Sequence, residues 1–220
     1  GDSVLPNGEI IDTVALNSIA GVDVTTTSNV GAYADEIEIT GQSGSNGFDA
    51  GNYDLSYVTG DLVVNQRAVT LTALQQERIY GNAMVLDDTA FTVTDLDGDS
   101  VLPNGEVIDT VALNSVTGID ATTTANVGGY GDEIEITGQA GSNGFSAGNY
   151  DLSYVTGDLV VNQRAVTLTA SQQERIYGDA MILDDTSFTV TDLDGDSVLP
   201  NGEVIDTVAL NSVTGIDATT

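Results

Sequence analysis

Hydrophobic and polar residues alternate along the chain with a period of two in several short stretches. Residues 53–57, 62–64 and 69–71 place apolar side chains on one face and polar ones between them, which is the pattern of a strand with one buried face. The same alternation returns at 90–96, 107–113 and 132–137. No stretch of useful length has the period of a helix. The pattern therefore predicts an all-β fold made of short strands.

Glycine and asparagine mark the predicted turns between these strands. A Thr-Gly-Asp turn lies at 59–61, and the Asn-Gly pair at 104–105 is a strong hairpin signal. Asn65, Gln66 and Arg67, here called the hinge, separate one predicted group of strands from the next. Six or seven strands at a spacing of 8–15 residues favour a small Ig-like sandwich, with a β-grasp-like variant as the alternative.

The chain repeats itself with a period of 97 residues. The sequence GDSVLPNGE begins at Gly1, Gly98 and Gly195. Residues 1–97 and 98–194 differ at 14 of 97 positions, and residues 195–220 match 98–123 without a change. A unit of this size can bury a core of its own, unlike the shorter units of a solenoid. The repeat therefore predicts tandem small β domains.

We expect each domain to run from hinge to hinge. On this interpretation residues 67–163 are a complete repeat, residues 1–66 are the C-terminal part of one repeat, and residues 164–220 are the N-terminal part of the next. Because the chain starts in the middle of the pattern at Gly1, we expect it to be a segment of a longer array.

The composition is strongly acidic, with 34 Asp and Glu residues against four Arg, and a formal net charge of −30. Such a chain would repel nucleic acid and anionic membranes. No apolar run approaches the roughly 18 residues of a spanning helix. Cys, His and Lys are absent, which excludes disulfides, thiolate metal sites and Schiff-base chemistry. Hydrophobic residues still make up 40% of the chain, so we expect ordered domains.

Two acidic loops have the spacing of calcium ligands. Alternate aspartates in a Gly-containing loop can direct several hard oxygens towards one point, as calcium requires. The candidate ligands are Asp95, Asp97, Asp99, Asp192, Asp194 and Asp196. The match to an EF-hand is partial, since no helices flank the loop and its Gly comes at the fourth position. The alternative is an ordinary acidic turn, so calcium is suggested but no cofactor is required.

Other polar residues offer weaker candidates. The acidic pairs Asp87-Asp88 and Asp132-Glu133 lack a His, Cys or Lys partner, so we interpret them as solvated and predict no enzymatic activity. The tyrosines could stack against carbohydrate, but packing in the sheet is the interpretation we favour. Arg67 and Arg78 flank a predicted strand in an acidic chain, and we expect both to form ion pairs that hold the hinge.

Several short motifs follow one another along the chain. They are the strand AVTLTA followed by Tyr-Gly at 80–81 and 177–178, Gly-Asp-Ser at 98–100, Asn-Val-Gly-x-Tyr at 29–33 and 126–130, Gly-Asn-Tyr-x-Leu-x-Tyr at 51–57 and 148–154, and Gly-x-Leu-x-Val at 60–64. Their order resembles the MBG/YDG-type repeats of large bacterial surface adhesins. The resemblance implies a secreted filamentous protein at a bacterial cell surface or in an extracellular or biofilm matrix, with repeats that act as a stalk.

Three functions fit the sequence. The first is a structural stalk or spacer, in which each repeat has its neighbouring repeats as partners. The second is a repeat that binds carbohydrate or protein and acts by avidity. The third is a subunit of a self-assembling extracellular filament that pairs with other copies through exposed strand edges. None of the three involves nucleic acid or insertion of this segment into a membrane.

Overall fold

The computed structural model describes residues 5–216. Segments 1–4 and 217–220, at which the predicted partial repeats begin and end, lie outside the described residues. The strands are β1 Ile10–Ser18, β2 Gly31–Ser45, β3 Gly60–Val64, β4 Arg67–Ala73, β5 Gln76–Ile79, β6 Phe91–Asp95, β7 Val107–Ser115, β8 Gly128–Ser142, β9 Tyr150–Val155, β10 Gly157–Asn162, β11 Val166–Ala170 and β12 Phe188–Asp192. The only helical segments in the described chain are single 3₁₀ turns, which confirms the all-β prediction. Nothing in residues 5–216 forms a helix with the length and apolarity that crossing a membrane takes.

The chain divides into two compact units. Unit 1 contains the chain up to residue 71 together with 93–109 and 140–153, and unit 2 contains 72–92, 110–139 and the chain from 154 onwards. Each unit is therefore built from segments of more than one 97-residue copy. The hinge-to-hinge domain boundaries and the choice between an Ig-like sandwich and a β-grasp-like variant stay predictions.

Unit 1 contains one three-stranded sheet and most of a second. In the first, β2 lies between β1 and β3 and is antiparallel to both. Leu16 of β1 lies opposite Ile39, and Tyr33 of β2 lies opposite Leu62. The second sheet has the strand order β6-β4-β9, and most of its residues belong to unit 1.

Unit 2 contains most of a mixed sheet with the strand order β5-β10-β8-β7. Strand β10 is antiparallel to β8 and parallel to β5, where Leu159 lies opposite Gln76. The sequence pattern did not predict a strand at residues 76–79, because this segment is polar without a clear alternation. A separate antiparallel pair joins β11 and β12, where Val166 lies opposite Asp192.

The Asn-Gly sequences form turns, but not the hairpin that they predicted. Pro103–Gly105 is a single 3₁₀ turn in which Asn104 has φ 60° and Gly105 has φ 75°. No paired strand directly precedes it, so the hairpin prediction is wrong. The same turn forms at Pro6–Gly8 and at Pro200–Gly202. Asn and Gly are the residues that adopt this left-handed conformation most readily.

The buried hydrophobic side chains of the described residues all lie between Val69 and Val161. In β4, every second residue is buried, with Val69, Leu71 and Ala73 at 1%, 0% and 3% exposure. Ile134 and Leu159, from the mixed sheet, are 0% exposed. The alternation predicted for β4 is confirmed.

Identical sequences differ between copies in both burial and strand formation. Leu71 is 0% exposed, whereas Leu168, the same position one copy later, is 46% exposed. Residues 53–58 have the same sequence as β9, and residues 204–212 have the same sequence as β7. Neither of these two segments forms a strand. Local sequence alone therefore does not decide these strands, because a strand also needs a partner to pair with.

Candidate functional site at the joints between copies

An arginine holds the acidic turn that follows β6 in unit 1. The Asp95 Oδ2 atom accepts hydrogen bonds from Arg67 Nη2 at 2.7 Å and from Arg67 Nε at 3.1 Å. Arg67 also contacts the Asp97 carboxylate. The other oxygen of Asp95 accepts from the backbone N–H groups of Asp97 at 2.9 Å and Asp99 at 3.1 Å. Both oxygens of this buried carboxylate are therefore hydrogen-bonded.

These contacts keep Asp95 ionised. The hydrogen bond from Arg67 is the main reason that the pKa of Asp95 lies below its usual value, and burial opposes this shift. The hydrogen bonds to Asp95 and Asp97 in turn raise the pKa of Arg67. Because the folded-state pKa of Asp95 is lowered, its stabilising effect is present at neutral pH. That effect is lost as the pH falls through the lowered pKa.

The same arrangement recurs 97 residues later in unit 2. Arg164 donates to Asp192 Oδ2 at 2.6 Å and contacts the Asp194 carboxylate. Its side chain is 6% exposed, against 29% for that of Arg67. The Nη1 atom of Arg164 has an additional acceptor, Asn82 Oδ1, at 2.9 Å. The ion pair predicted for Arg67 is confirmed, and it is a repeated feature of the fold.

The six predicted calcium ligands are divided between side-chain and backbone roles. Asp95 and Asp97 contact Arg67, and their counterparts Asp192 and Asp194 contact Arg164. Asp99 and Asp196 each accept a backbone hydrogen bond through their main-chain oxygens. The described residues contain no group of three or more acidic side chains placed to hold a metal ion. Calcium binding stays a prediction. To bind the ion, the carboxylates would have to release the arginine that now holds them.

We expect calcium to leave the melting temperature unchanged. In each loop two of the three candidate carboxylates are already bound by a guanidinium group, and releasing that group carries a cost of its own. The measurement is thermal unfolding in millimolar calcium, in chelator, and in magnesium as the control for ionic strength. A melting temperature raised by calcium alone, and no longer raised in Asp97→Asn, would contradict this expectation.

The Asn-Gly turns contact a threonine-rich loop in each unit. In unit 1, Asn104 Nδ2 donates to the Thr26 backbone oxygen at 2.9 Å. In unit 2, Asn201 Nδ2 donates to the Thr123 backbone oxygen at 3.0 Å. Both residues of the second pair lie 97 positions after those of the first. The same contact therefore forms twice, with equivalent residues.

Some hydrogen bonds span more than one repeat length. In unit 1, the Val30 backbone N–H donates to Asn149 Oδ1 at 3.1 Å, across 119 residues. In unit 2, the Tyr80 hydroxyl donates to Glu203 Oε1 at 2.6 Å, across 123 residues. Because both separations exceed 97 residues, these bonds join different copies wherever the boundary between copies is drawn. They define joints between copies.

The hinge is held by its own side chain in unit 1. Gln66 Nε2 donates to the backbone oxygens of Gly148 at 3.1 Å and Tyr150 at 3.2 Å. Tyr150 is buried, stacks on Phe145 with ring centroids 5.5 Å apart, and donates its hydroxyl to Glu106 at 2.8 Å. This supports the packing interpretation for Tyr150. The linker between β3 and β4 is therefore anchored on a packed aromatic pair.

Two polar residues behave differently from the sequence prediction. Within the described residues, Arg78 forms no ion pair. Its Nη1 and Nη2 atoms donate instead to the backbone oxygens of Asn82 and Thr122, each at 2.8 Å. The ion pair predicted for Arg78 is therefore wrong. Glu133 is 4% exposed, so the solvated position predicted for it is also wrong. The partners of Arg78 have no simple sequence signal, since backbone carbonyls occur throughout the chain.

Glu133 is the centre of a buried hydrogen-bond cluster in unit 2. It accepts from the Ser115 hydroxyl, from the Thr117 backbone N–H at 2.9 Å and from Thr117 Oγ1 at 3.0 Å. Burial acts to raise the pKa of Glu133, but these hydrogen bonds outweigh it, so the pKa lies below its usual value. The carboxylate stays charged and connects β8 to the end of β7 and the residues that follow it. Nothing in the cluster provides a partner for proton transfer.

An all-β chain in which equivalent residues form the same joint in successive copies is a tandem-repeat protein. Within it, residues 69–160 match the family described as MBG domain (YGX type). The match covers less than half of the 220 residues and confirms the resemblance seen in the motifs. MBG domains are a non-enzymatic repeat family found in adhesin-like surface proteins. No curated protein matches the chain.

Proposed function

We propose that this chain is part of a structural stalk, a stiff array of β domains in an adhesin or fibre at a bacterial cell surface. The observation that carries the proposal is the repetition of one set of joint contacts in both units. Across the joint, Asn104 with Thr26 recurs as Asn201 with Thr123. Beside it, at the start of each following copy, Arg67 with Asp95 recurs as Arg164 with Asp192. A joint built the same way at each step would give successive copies the same geometry.

The folding unit of the array is the hinge-to-hinge segment 67–163. Two observations support this choice. The buried hydrophobic side chains of the described chain lie between Val69 and Val161, and the family match covers 69–160. The net charge of −30 adds a repulsion between neighbouring arrays that keeps them apart and soluble. The stalk needs no cofactor and no catalytic residue.

The contacts at the hinge limit bending. Gln66 is bonded to two backbone oxygens, and Arg67 to two carboxylates. Each contact restricts the orientation of the chain where β3 ends and β4 begins. Single exposed pairs stabilise a fold only weakly, but several short contacts around one linker leave it few orientations. We therefore assign these residues a geometric role.

Inserting the four residues Gly-Ser-Gly-Ser between Asn65 and Gln66, and again between Asn162 and Gln163, should shorten the mean end-to-end distance of the chain. A flexible linker samples many orientations, whereas the native hinge is fixed by hydrogen bonds. The measurement is small-angle scattering of the 220-residue chain before and after insertion. The control inserts the same residues after Gly47, in an exposed turn where a Cβ would meet no atom within 4 Å. Equal dimensions for hinge and control insertions would refute the stiff-hinge proposal.

A further inference from the structure

We propose that two loops of unit 2 form a socket that recognises the Pro200–Gly202 turn of another copy. The socket consists of the Tyr80-Gly81-Asn82 loop and the loop that carries Thr122 and Thr123. The ligand is a preformed Pro-Asn-Gly turn followed by a carboxylate. This inference rests on the proposed stalk function and names the elements that join one copy to the next.

The socket contacts both polar side chains of the turn. The Tyr80 hydroxyl donates to Glu203 Oε1 at 2.6 Å. Thr123 contacts both ends of the Asn201 amide, because its hydroxyl donates to Asn201 Oδ1 at 2.6 Å and its backbone oxygen accepts from Asn201 Nδ2 at 3.0 Å. An amide read at both ends is distinguished from a carboxylate or an apolar side chain. The socket is therefore selective for Asn at this position.

Gly81 permits the close approach of the turn. Its φ is 87°, and a Cβ added there would lie 2.5 Å from the Pro200 Cβ. Conformation and space therefore both require glycine at this position. Gly178, the equivalent position one copy later, has φ 94° but would meet no atom within 4 Å. The two glycines differ in whether a proline is seated against them.

Arg78 holds the two loops of the socket together. Its side chain is 5% exposed, and it donates one hydrogen bond to the Asn82 backbone oxygen and one to the Thr122 backbone oxygen, each at 2.8 Å. A guanidinium group presents its donors in a fixed planar fork. The two carbonyls, and with them the two loops, are thereby held at a fixed spacing. Arg78 is a positioning residue of the socket.

The third residue of the Tyr-Gly-Asn loop extends the contact to the neighbouring ion pair. Asn82 Oδ1 accepts from Arg164 Nη1 at 2.9 Å. Arg164 also binds Asp192 and Asp194. The socket loop therefore contacts the arginine-held acidic turn as well as the Pro-Asn-Gly turn. The equivalent residue in the next copy is Asp179, whose side chain also has an oxygen that can accept a hydrogen bond.

The Pro-Asn-Gly turn has the same conformation at each of its three occurrences in the described chain. Asn201 and Gly202 both have positive φ, at 59° and 74°, a conformation that Asn and Gly adopt at low cost. The same turn in unit 1 has φ 60° at Asn104, which donates to the Thr26 backbone oxygen. Half of the socket contact thus recurs at a second joint. A preformed turn loses little conformational freedom when it binds.

The test is a pair of glycine substitutions in the full 220-residue chain. Gly81→Ala places a Cβ against Pro200, whereas Gly178→Ala carries the same backbone strain without a contact. The chain has no Cys, so spin labels can be attached at Val85→Cys and Val198→Cys, two positions that are 91% and 70% exposed. Pulsed electron-spin distance measurements should give a narrow distribution in the parent and in Gly178→Ala. The distribution should broaden at least twofold in Gly81→Ala.

A milder pair of variants guards against misfolding. Tyr80→Phe removes only the hydroxyl that binds Glu203, and Tyr177→Phe is its control because Tyr177 is 100% exposed. We expect broadening in Tyr80→Phe and none in Tyr177→Phe. Equal distributions within both pairs would overturn the socket. If the distributions are equal but the hinge insertion still shortens the chain, the stalk proposal stands without the socket. If the distributions differ as expected but the hinge insertion leaves the length unchanged, the socket stands and the stiff hinge is refuted.

Discussion

Replacing Leu71 by alanine should lower the free energy of unfolding by about 2–5 kcal/mol, the usual cost of truncating a fully buried leucine. Leu71 is 0% exposed in β4. Leu168 stands in the same sequence, Ala-Val-Thr-Leu-Thr-Ala, but is 46% exposed. The same substitution at Leu168 should cost about 1 kcal/mol or less. Urea unfolding followed by circular dichroism measures both.

The two leucine variants control for each other. They have the same composition and the same local sequence, so their effects on the unfolded chain are alike. Hydrogen exchange of the β4 amides gives a local readout that does not depend on a single unfolding transition. Equal losses at Leu71 and Leu168 would contradict the placement of the core within 67–163.

The strand pattern of β4 was predictable because it depends only on local alternation. Val69, Leu71 and Ala73 point to one face whatever lies beyond them. Strand β5 was not predictable in this way, because its residues form a strand at the parallel edge that β10 provides. Residues 204–212 show the opposite case, since they repeat the sequence of β7 but form no strand. Strand β7 is paired with β8, whereas residues 204–212 belong to none of the sheets in the described chain.

The candidate joints were predictable only where opposite charges were involved. In a chain with four arginines among 34 acids, an ion pair at Arg67 is a statistical expectation, and it forms. Arg78 pairs with carbonyls, which every residue carries, so composition gives no indication of its partners. Contacts such as Tyr80 with Glu203 span 123 residues, and a period of 97 does not reveal which loops meet across it.

Glu133 was misplaced because a local irregularity changes the alternation. Asp132 has φ 54°, and the pairing of β10 with β8 shifts register between Gly157 and Leu159. Such an irregularity lets two successive residues face the same way. Glu133 and Ile134 are accordingly both buried, at 4% and 0% exposure. The Asp at 132, a residue type that tolerates positive φ, is the one local signal that pointed to this.

Replacing Glu133 by glutamine should lower the free energy of unfolding at pH 7 by about 2–3 kcal/mol, since hydrogen bonds to a buried charged group are the strong ones. Ser115 and Thr117 supply donors to the carboxylate, and a glutamine would direct its own N–H₂ group at some of them. Urea unfolding at pH 7 and at pH 3 measures the loss for the parent and for Glu133→Gln.

The difference between the parent and Glu133→Gln should shrink on acidification. The pKa of Glu133 is lowered in the folded state, so its stabilising effect is full above the unfolded pKa of about 4.3 and is lost as the pH falls through the folded value. Asp151→Asn is the control for net charge, because Asp151 is exposed on β9 and its substitution removes one negative charge without opening a buried cluster. A loss in Glu133→Gln that is equally large at both pH values would show that shape, and not charge, gives this residue its effect.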